Sequence, residues 1–292
     1  MAICGLGAVM NVLVARDLYA MTAMWFLAGI AGAAVGALLN YALTSMITWG
    51  RRLARGASPS RRGGFLLKAV NAAMVEAEAR WLRGMLDCFP PERLSPLLNL
   101  GSSSTETREA VQPWIAHQVF HPLRTRGVEV VHVDMRELPG VDVRADLTDP
   151  SDVRRLTAFR ARAVLCCNLF EHVTDPKRLA RHCLELVGPG GLIFVTVPFS
   201  YPHHRDPIDT MYRPSPAELA ELLSGARLIE GTIVDAGASY RDAVWHRPWL
   251  LLRHVWRFPV PFLSLELWKR SMARLYWLAA DYRITCAVFE KL

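Results

Sequence analysis

The 292-residue chain has few cysteines for a redox or metal role: Cys4, Cys88, Cys166, Cys167, Cys183 and Cys286 form no CxxC pair and show no paired metal-ligand spacing. They read as buried thiols of a reducing compartment, and no metal site is expected. No internal repeat and no low-complexity tract occurs, which excludes solenoids and disordered tails. No charged residue appears from Leu18 to Gly50, and no basic residue precedes Arg16. The second absence argues against a secretory signal peptide. The first leaves an apolar segment from Trp25 to Ile47, interrupted only by Asn40, Thr44 and Ser45.

Roughly 20 apolar residues cross a bilayer as a helix, so residues 18–50 are expected to form a transmembrane helix. Trp25 and Trp49 stand near its ends, where amphipathic rings favour the interface. Arg51, Arg52, Arg55, Arg61 and Arg62 follow on one side only, in a linker spanning 51–64. Their position puts everything after Gly50 in the cytoplasm, as a single-pass protein of the inner (plasma) membrane. The net charge of +7 fits anionic lipid better than nucleic acid, because the excess clusters beside the span. Gly32 and Gly36 make a small-residue face on which another helix, or a second copy of the chain, can pack; such residues are also common in membrane helices generally. Residues 1–17 form an apolar arm too short to span comfortably.

Beyond the linker, Leu66, Ala69, Val70, Ala73, Ala77, Trp81, Leu82 and Met85 recur at helical spacing, predicting an amphipathic helix within 65–90 that stops before Pro90-Pro91. From residue 94 the pattern alternates between strands and helices. Strands are expected at Leu97 to Leu100, Val128 to Val133, Val141 to Ala145, Ala163 to Cys167, Leu192 to Val197, Arg227 to Val234 and Arg283 to Phe289. The unbroken apolar runs of the fourth and fifth suit parallel strands covered on both faces. A stretch at 245–277 carries Trp245, Trp249, Trp256, Trp268 and Trp277 among arginines. It suits either a surface dipping into the lipid interface or a helical cap on the domain.

In open α/β sheets the site lies at the carboxyl ends of the strands, where Asn168, Glu171 and His172 follow the fourth strand and Pro198 to Asp209 the fifth. Phe170-Glu171-His172-Val173 with Asp175-Pro176, then Gly188-Pro189-Gly190-Gly191-Leu192-Ile193 leading to Val197-Pro198, resemble the class I S-adenosylmethionine-dependent methyltransferases in both order and spacing. The resemblance covers residues 94–292. It implies a Rossmann-like seven-stranded mostly parallel sheet with flanking helices, preceded here by the transmembrane helix, and S-adenosylmethionine as cofactor. No GxGxxG opens the first helix, which argues against a nicotinamide cofactor.

The resemblance also suggests roles for individual residues. Asp134, ending the second strand, is placed to accept both ribose hydroxyls, and Asp146 with Leu147 stands where such enzymes meet adenine. Asp146 also suits a cap for a helix starting near Pro150, and Asp149 reads as that cap. The first loop departs from the family: Asn99 replaces the usual acid, and only Gly101 remains of the glycines, with Ser103 and Thr105 at the other positions. A serine hydroxyl there can bond the cofactor's carboxylate. Asn168 joins the cofactor rim and His172 the substrate edge. In the loop after the fifth strand His203, His204, Asp206 and Asp209 are the candidate bases, and Arg213 can hold an acidic substrate group.

The resulting expectation is a methyltransferase at the cytoplasmic membrane face, acting on a small molecule, a glycan, a lipid-linked saccharide or a lipid, and not on nucleic acid. If the altered first loop no longer binds cofactor, the chain is instead a membrane-bound scaffold of the same fold.

Overall fold

The computed structural model describes residues 2–22, 24–37, 74–204, 208–237, 239–257 and 265–292. They belong to two compact units, one made of residues 1–70 and 239–280, the other of 71–238 and 281–292.

The first unit opens with helix α1 (Ala2–Thr22) and a second helix, α2, over residues 25–37. A Cβ added to Gly32 would lie 2.5 Å from the Asn11 carbonyl oxygen and 3.0 Å from the Ala15 Cβ, so glycine is what lets the two backbones touch. Ala28, Gly32 and Val35 are buried, while Val12, Trp25, Phe26, Leu27 and Ile30 face outward. Over its described part, the transmembrane helix expected at 18–50 is not one continuous helix. Helicity already runs through the supposed arm, stops at Thr22 and restarts at residue 25. Among the described residues no helix is long and apolar enough to cross a membrane. The small-residue face of α2 packs on α1 of the same chain at Gly32. Residues 38–50 of the expected span and the whole 51–64 linker lie outside the described residues.

The second unit begins with α3 (Glu76–Asp87), where the Glu78 carboxylate accepts from the Val75 N–H at 3.2 Å and so caps its own helix. The buried side of α3 is Glu78, Ala79, Leu82 and Leu86. Trp81 and Met85, expected at its centre, are only partly buried, because the stripe is rotated toward Glu78. Next come β1 (Leu97–Leu100), the helical turns Glu106–Val111, Pro113–Ile115, Ala116–Phe120 and His121–Thr125, β2 (Val130–Asp134), β3 (Val143–Arg144) and α4 (Pro150–Leu156). β4 (Ala161–Cys167), α5 (Pro176–Leu186), β5 (Val187–Ser200), α6 (Pro216–Leu222), β6 (Ala226–Asp235) and β7 (Arg283–Lys291) complete it.

The strands form one seven-stranded sheet in the order β3-β2-β1-β4-β5-β7-β6. β1 pairs in parallel with β2 and β4, and β4 with β5, whereas β7 runs antiparallel to both β5 and β6. Strand alternation sends Val164, Cys166, Ile193 and Val195 into one core layer and Ala163, Leu165, Leu192 and Phe194 into the other. Gly188 to Gly191, expected as a free turn, is drawn into the start of β5 with Gly190 at φ +74°.

The first unit resumes with α7 (Tyr240–His246), α8 (Trp249–Arg257) and α9 (Leu265–Tyr276). His254 stands between the Tyr240 hydroxyl and the Ser271 hydroxyl at 2.6 Å from each, all three buried. Trp245 and Trp249 are exposed.

Phe194 is wholly buried in the core layer that also holds Leu82 and Leu86 of α3 and Leu97 of β1. Phe194→Ala is expected to destabilise the second unit by about 3–5 kcal/mol, read as a lowered denaturation midpoint with unchanged steepness.

Candidate functional site

The carboxyl ends of β1, β2 and β4 meet at one rim. After β1 the chain turns through Gly101 at φ +67° and Ser103 at φ +56°. A Cβ added to Gly101 would stand 3.2 Å from Leu169 Cδ1, so the loops after β1 and β4 approach closely there. The Ser102 N–H donates to the Val133 carbonyl, and the Ser103 N–H donates to Asp134 Oδ2 at 2.9 Å. Asp134 Oδ1 accepts from the Arg136 N–H at 2.9 Å and from Arg136 Nε at 3.3 Å. The expected ribose acceptor is therefore at the rim, and its oxygens already have protein donors.

Two residues that the sequence did not single out shape this rim. Arg108 is buried behind the loop, where it donates to the carbonyls of Ser102, Ser103 and Gly140. Glu78 is wholly buried; its Oε1 accepts from Asn168 Nδ2 at 2.9 Å and from the Thr196 hydroxyl at 2.6 Å. Burial raises its pKa from an ordinary 4.5 to about 7, against the lowering effect of the Thr196, Val75 and Asn168 hydrogen bonds. An acid on the same helical stripe as Leu82 and Leu86 was the sequence signal for it.

Several expected cofactor residues have structural commitments. Asn99 is corrected from the cofactor edge to the sheet interior: its side chain is buried and pairs with His132 Nδ1 at 3.0 Å, next to it in register. Asp146 Oδ1 accepts from the N–H and hydroxyl of Thr148. The Leu147 carbonyl accepts from His182 Nδ1 at 2.7 Å. Asp149 caps α4 through the Ser151 N–H. Asn168, at φ +49°, turns the chain out of β4 while its side chain holds Glu78.

On the acceptor side the loop after β5 folds back onto the end of β4, where the Thr210 N–H and hydroxyl both donate to the Glu171 carbonyl. Asp209 and Arg213 form a two-point pair at 3.0 and 2.7 Å. Burial acts to raise the Asp209 pKa, but Arg213 and the N–H groups of His204 and Met211 outweigh it and hold the acid at about 2. The expectation of Asp209 as a base and Arg213 as a substrate clamp is corrected accordingly: each is spent on the other. His203 is exposed, and Asp206 lies outside the described residues.

Glu171, His172 and His204 are brought together at this end of the sheet. One donor atom from each lies within 4.8 Å of the others, a spacing that a cation could also occupy. Glu171 is wholly buried with no hydrogen-bond partner on either carboxyl oxygen. Burial first, with Glu78 and Asp209 nearby, raises its pKa to about 8 despite Arg213. His172 Nδ1 donates to the Ile208 carbonyl, which leaves Nε2, 3.8 Å from Glu171 Oε1, as the basic nitrogen. Burial lowers the His204 pKa, so that ring is neutral near pH 7.

A glutamic acid raised from 4.5 to about 7 binds its proton more tightly folded than unfolded. Its contribution to stability is complete below 4.5 and lost as pH rises through 7. In Glu78→Gln the fall in unfolding free energy across that window is expected to be shallower than in the parent, as followed by urea denaturation at stepped pH. Equal slopes would mean that Glu78 is not protonated in the folded state.

Comparison with known proteins places these features in a family. Residues 76–230 match the family described as a methyltransferase domain. A ubiquinone biosynthesis O-methyltransferase from Stutzerimonas stutzeri (strain A1501) is 36% identical over 80 residues, covering 24% of this chain and 34% of the relative. The protein of the same name from Pseudomonas aeruginosa (strain LESB58) is 33% identical over 82 residues, covering 24% and 35%. The match thus spans about a third of these relatives' length. Among solved structures, a coclaurine N-methyltransferase bound to N-methylheliamine and SAH aligns at a TM-score of 0.41 with 14% identity, covering 88% of this chain and 100% of the other. The Burkholderia thailandensis 1,6-didemethyltoxoflavin-N1-methyltransferase, bound to 1,6-didemethyltoxoflavin and S-adenosylhomocysteine, aligns at 0.40 with 15% identity, covering 87% and 88%. The domain match extends over more than half of the chain, and the chain belongs to the methyltransferase-domain family.

Proposed function

We propose that this chain transfers the methyl group of S-adenosylmethionine to a hydroxyl of an acceptor that enters beside Glu171, His172 and His204. The observation that carries the reading is the single rim on which the Gly101 loop is hydrogen-bonded to Asp134 and pressed against Leu169, with Glu171 and His172 following the β4 end and His204 brought to them by the loop after β5. Gly101 fits the cofactor because its missing side chain lets the two loops meet at a positive φ. When bound, the cofactor supplies an activated methyl on a sulfonium.

The chain's own residues do the rest. Arg136 is more than half exposed, so a pair of hydroxyls can displace it from Asp134 Oδ1 while the Ser103 N–H keeps Oδ2. His172 Nε2 takes the proton of an acceptor hydroxyl, and the Nδ1 bond to Ile208 holds the ring in the required tautomer. Neutral Glu171 lies against that nitrogen without drawing the proton away at pH 7. The Asp209–Arg213 pair holds the loop that carries His204, whose N–H donates to Asp209 Oδ2.

Hydroxyl transfer also accords with the relatives named ubiquinone biosynthesis O-methyltransferase. The acceptor is read as a lipid, a lipid-linked saccharide or a glycan precursor at the cytoplasmic face of the inner membrane. Supporting that reading are the outward apolar residues of α1 and α2 and the arginines from Arg51 to Arg62. A non-catalytic scaffold is favoured by one observation, that both Asp134 carboxylate oxygens already have donors.

Titration calorimetry of S-adenosylmethionine into the full chain separates the two readings. Binding is expected; no heat at millimolar cofactor would leave the scaffold. Asp134→Ala is expected to weaken binding tenfold or more, on the order of one charge-assisted hydrogen bond, and an unchanged Kd would remove Asp134 from the ribose role. In fractionated cells the chain is expected in the membrane pellet, released by detergent. Recovery in the soluble fraction without detergent would refute the membrane assignment.

A further inference from the structure

The loop after β1 holds its shape with one glycine where the family pattern has three, and the structure shows what stands in for the others. Arg108 lies in a π-helical turn, Glu106–Val111, whose wider turn closes with the Gln112 N–H donating to the Thr107 carbonyl. Such turns are rare and recur at functional sites. From there the guanidinium folds back beneath the loop. Nη1 donates to the carbonyls of Ser102 at 2.8 Å and Ser103 at 2.6 Å; Nη2 donates to the Gly140 carbonyl at 2.7 Å and the Thr105 hydroxyl at 3.4 Å. Gly140, in the segment between β2 and β3, sits at φ +78°. A Cβ there would fall 1.7 Å from the Thr105 hydroxyl oxygen and 2.9 Å from Arg108 Nη2. The Thr105 N–H donates to the neighbouring Pro139 carbonyl at 2.9 Å. The absence of a side chain has moved from position 105 to position 140, and a buried fork of donors binds the carbonyls that the loop turns inward.

We propose that Arg108, seated by Gly140, is the positioning residue for the cofactor's methionine end. It fixes Ser102 to Thr105 so that the loop presents N–H and hydroxyl donors at the rim, and it places a buried positive charge behind the point where a carboxylate would rest. Asp134, an acceptor at the same rim, suits the hydroxyl-bearing end and repels a carboxylate, so the two ends of the ligand are sorted by charge. The inference rests on the proposed cofactor.

Lysine keeps the charge but cannot span three carbonyls with a planar fork. In the full chain, Arg108→Lys is expected to raise the Kd for S-adenosylmethionine by about tenfold or more, the loss of one or two charge-assisted bonds. Its Kd for 5′-methylthioadenosine, which lacks the amino-acid end, is expected to stay within about twofold of the parent. A general loss of folding would weaken both ligands together. Gly140→Ala is expected to mimic Arg108→Lys, and Thr105→Gly added to it to recover part of the loss by removing the 1.7 Å clash. If the parent binds neither ligand, the cofactor reading itself fails. If the parent binds S-adenosylmethionine and Arg108→Lys binds it equally well, or if both ligands weaken alike in Arg108→Lys and Gly140→Ala, the assignment of Arg108 is overturned.

Discussion

The reversal of strand order between β1 and β4 is the constraint on which the site depends. β2 and β3 extend the sheet to one side of β1, and β4, β5, β7 and β6 extend it to the other. The loops leaving β1 and β4 therefore diverge over opposite layers and leave a crevice at their carboxyl ends. Gly101 and Leu169 face each other across its floor. The donor-rich loop and the acidic end of β2 lie on the β1 side; Asn168, Glu171 and His172 lie on the β4 side.

Burying acids in that crevice has a cost, and each acid meets it differently. Asp209 is offset by Arg213 and stays ionised near 2. Glu78 accepts three hydrogen bonds and is still raised to about 7. Glu171 receives none on its carboxyl oxygens and is raised to about 8. Desolvation outweighs hydrogen bonding for Glu78, whereas for Asp209 the guanidinium and two backbone N–H donors together outweigh it. The three acids thus divide into a paired anion, Asp209, and two acids with raised pKa, of which Glu171 lies next to the imidazoles.

In the other unit the same balance governs apolar groups. Gly32 allows α2 to lie on α1, which buries the small residues and turns Trp25, Phe26, Leu27 and Ile30 outward.

The apolar runs of the sequence marked all seven strands, and the unbroken ones correspond to the strands buried on both faces, β4 and most of β5. The motifs around Glu171 and Gly188 likewise placed the chain in its family, since they combine spacing with strand ends. What only the tertiary structure decided were partnerships between distant positions. Arg108 and Gly140 stand 32 residues apart, and Glu78 and Thr196 are separated by 118. Asn99 faces the sheet interior because of its register with His132. α1 and α2 fold against each other where periodicity alone read a single span. Local sequence carries backbone preference and burial pattern, but the identity of a hydrogen-bond partner or a helix neighbour is a property of chain reversal and register, which no single stretch encodes.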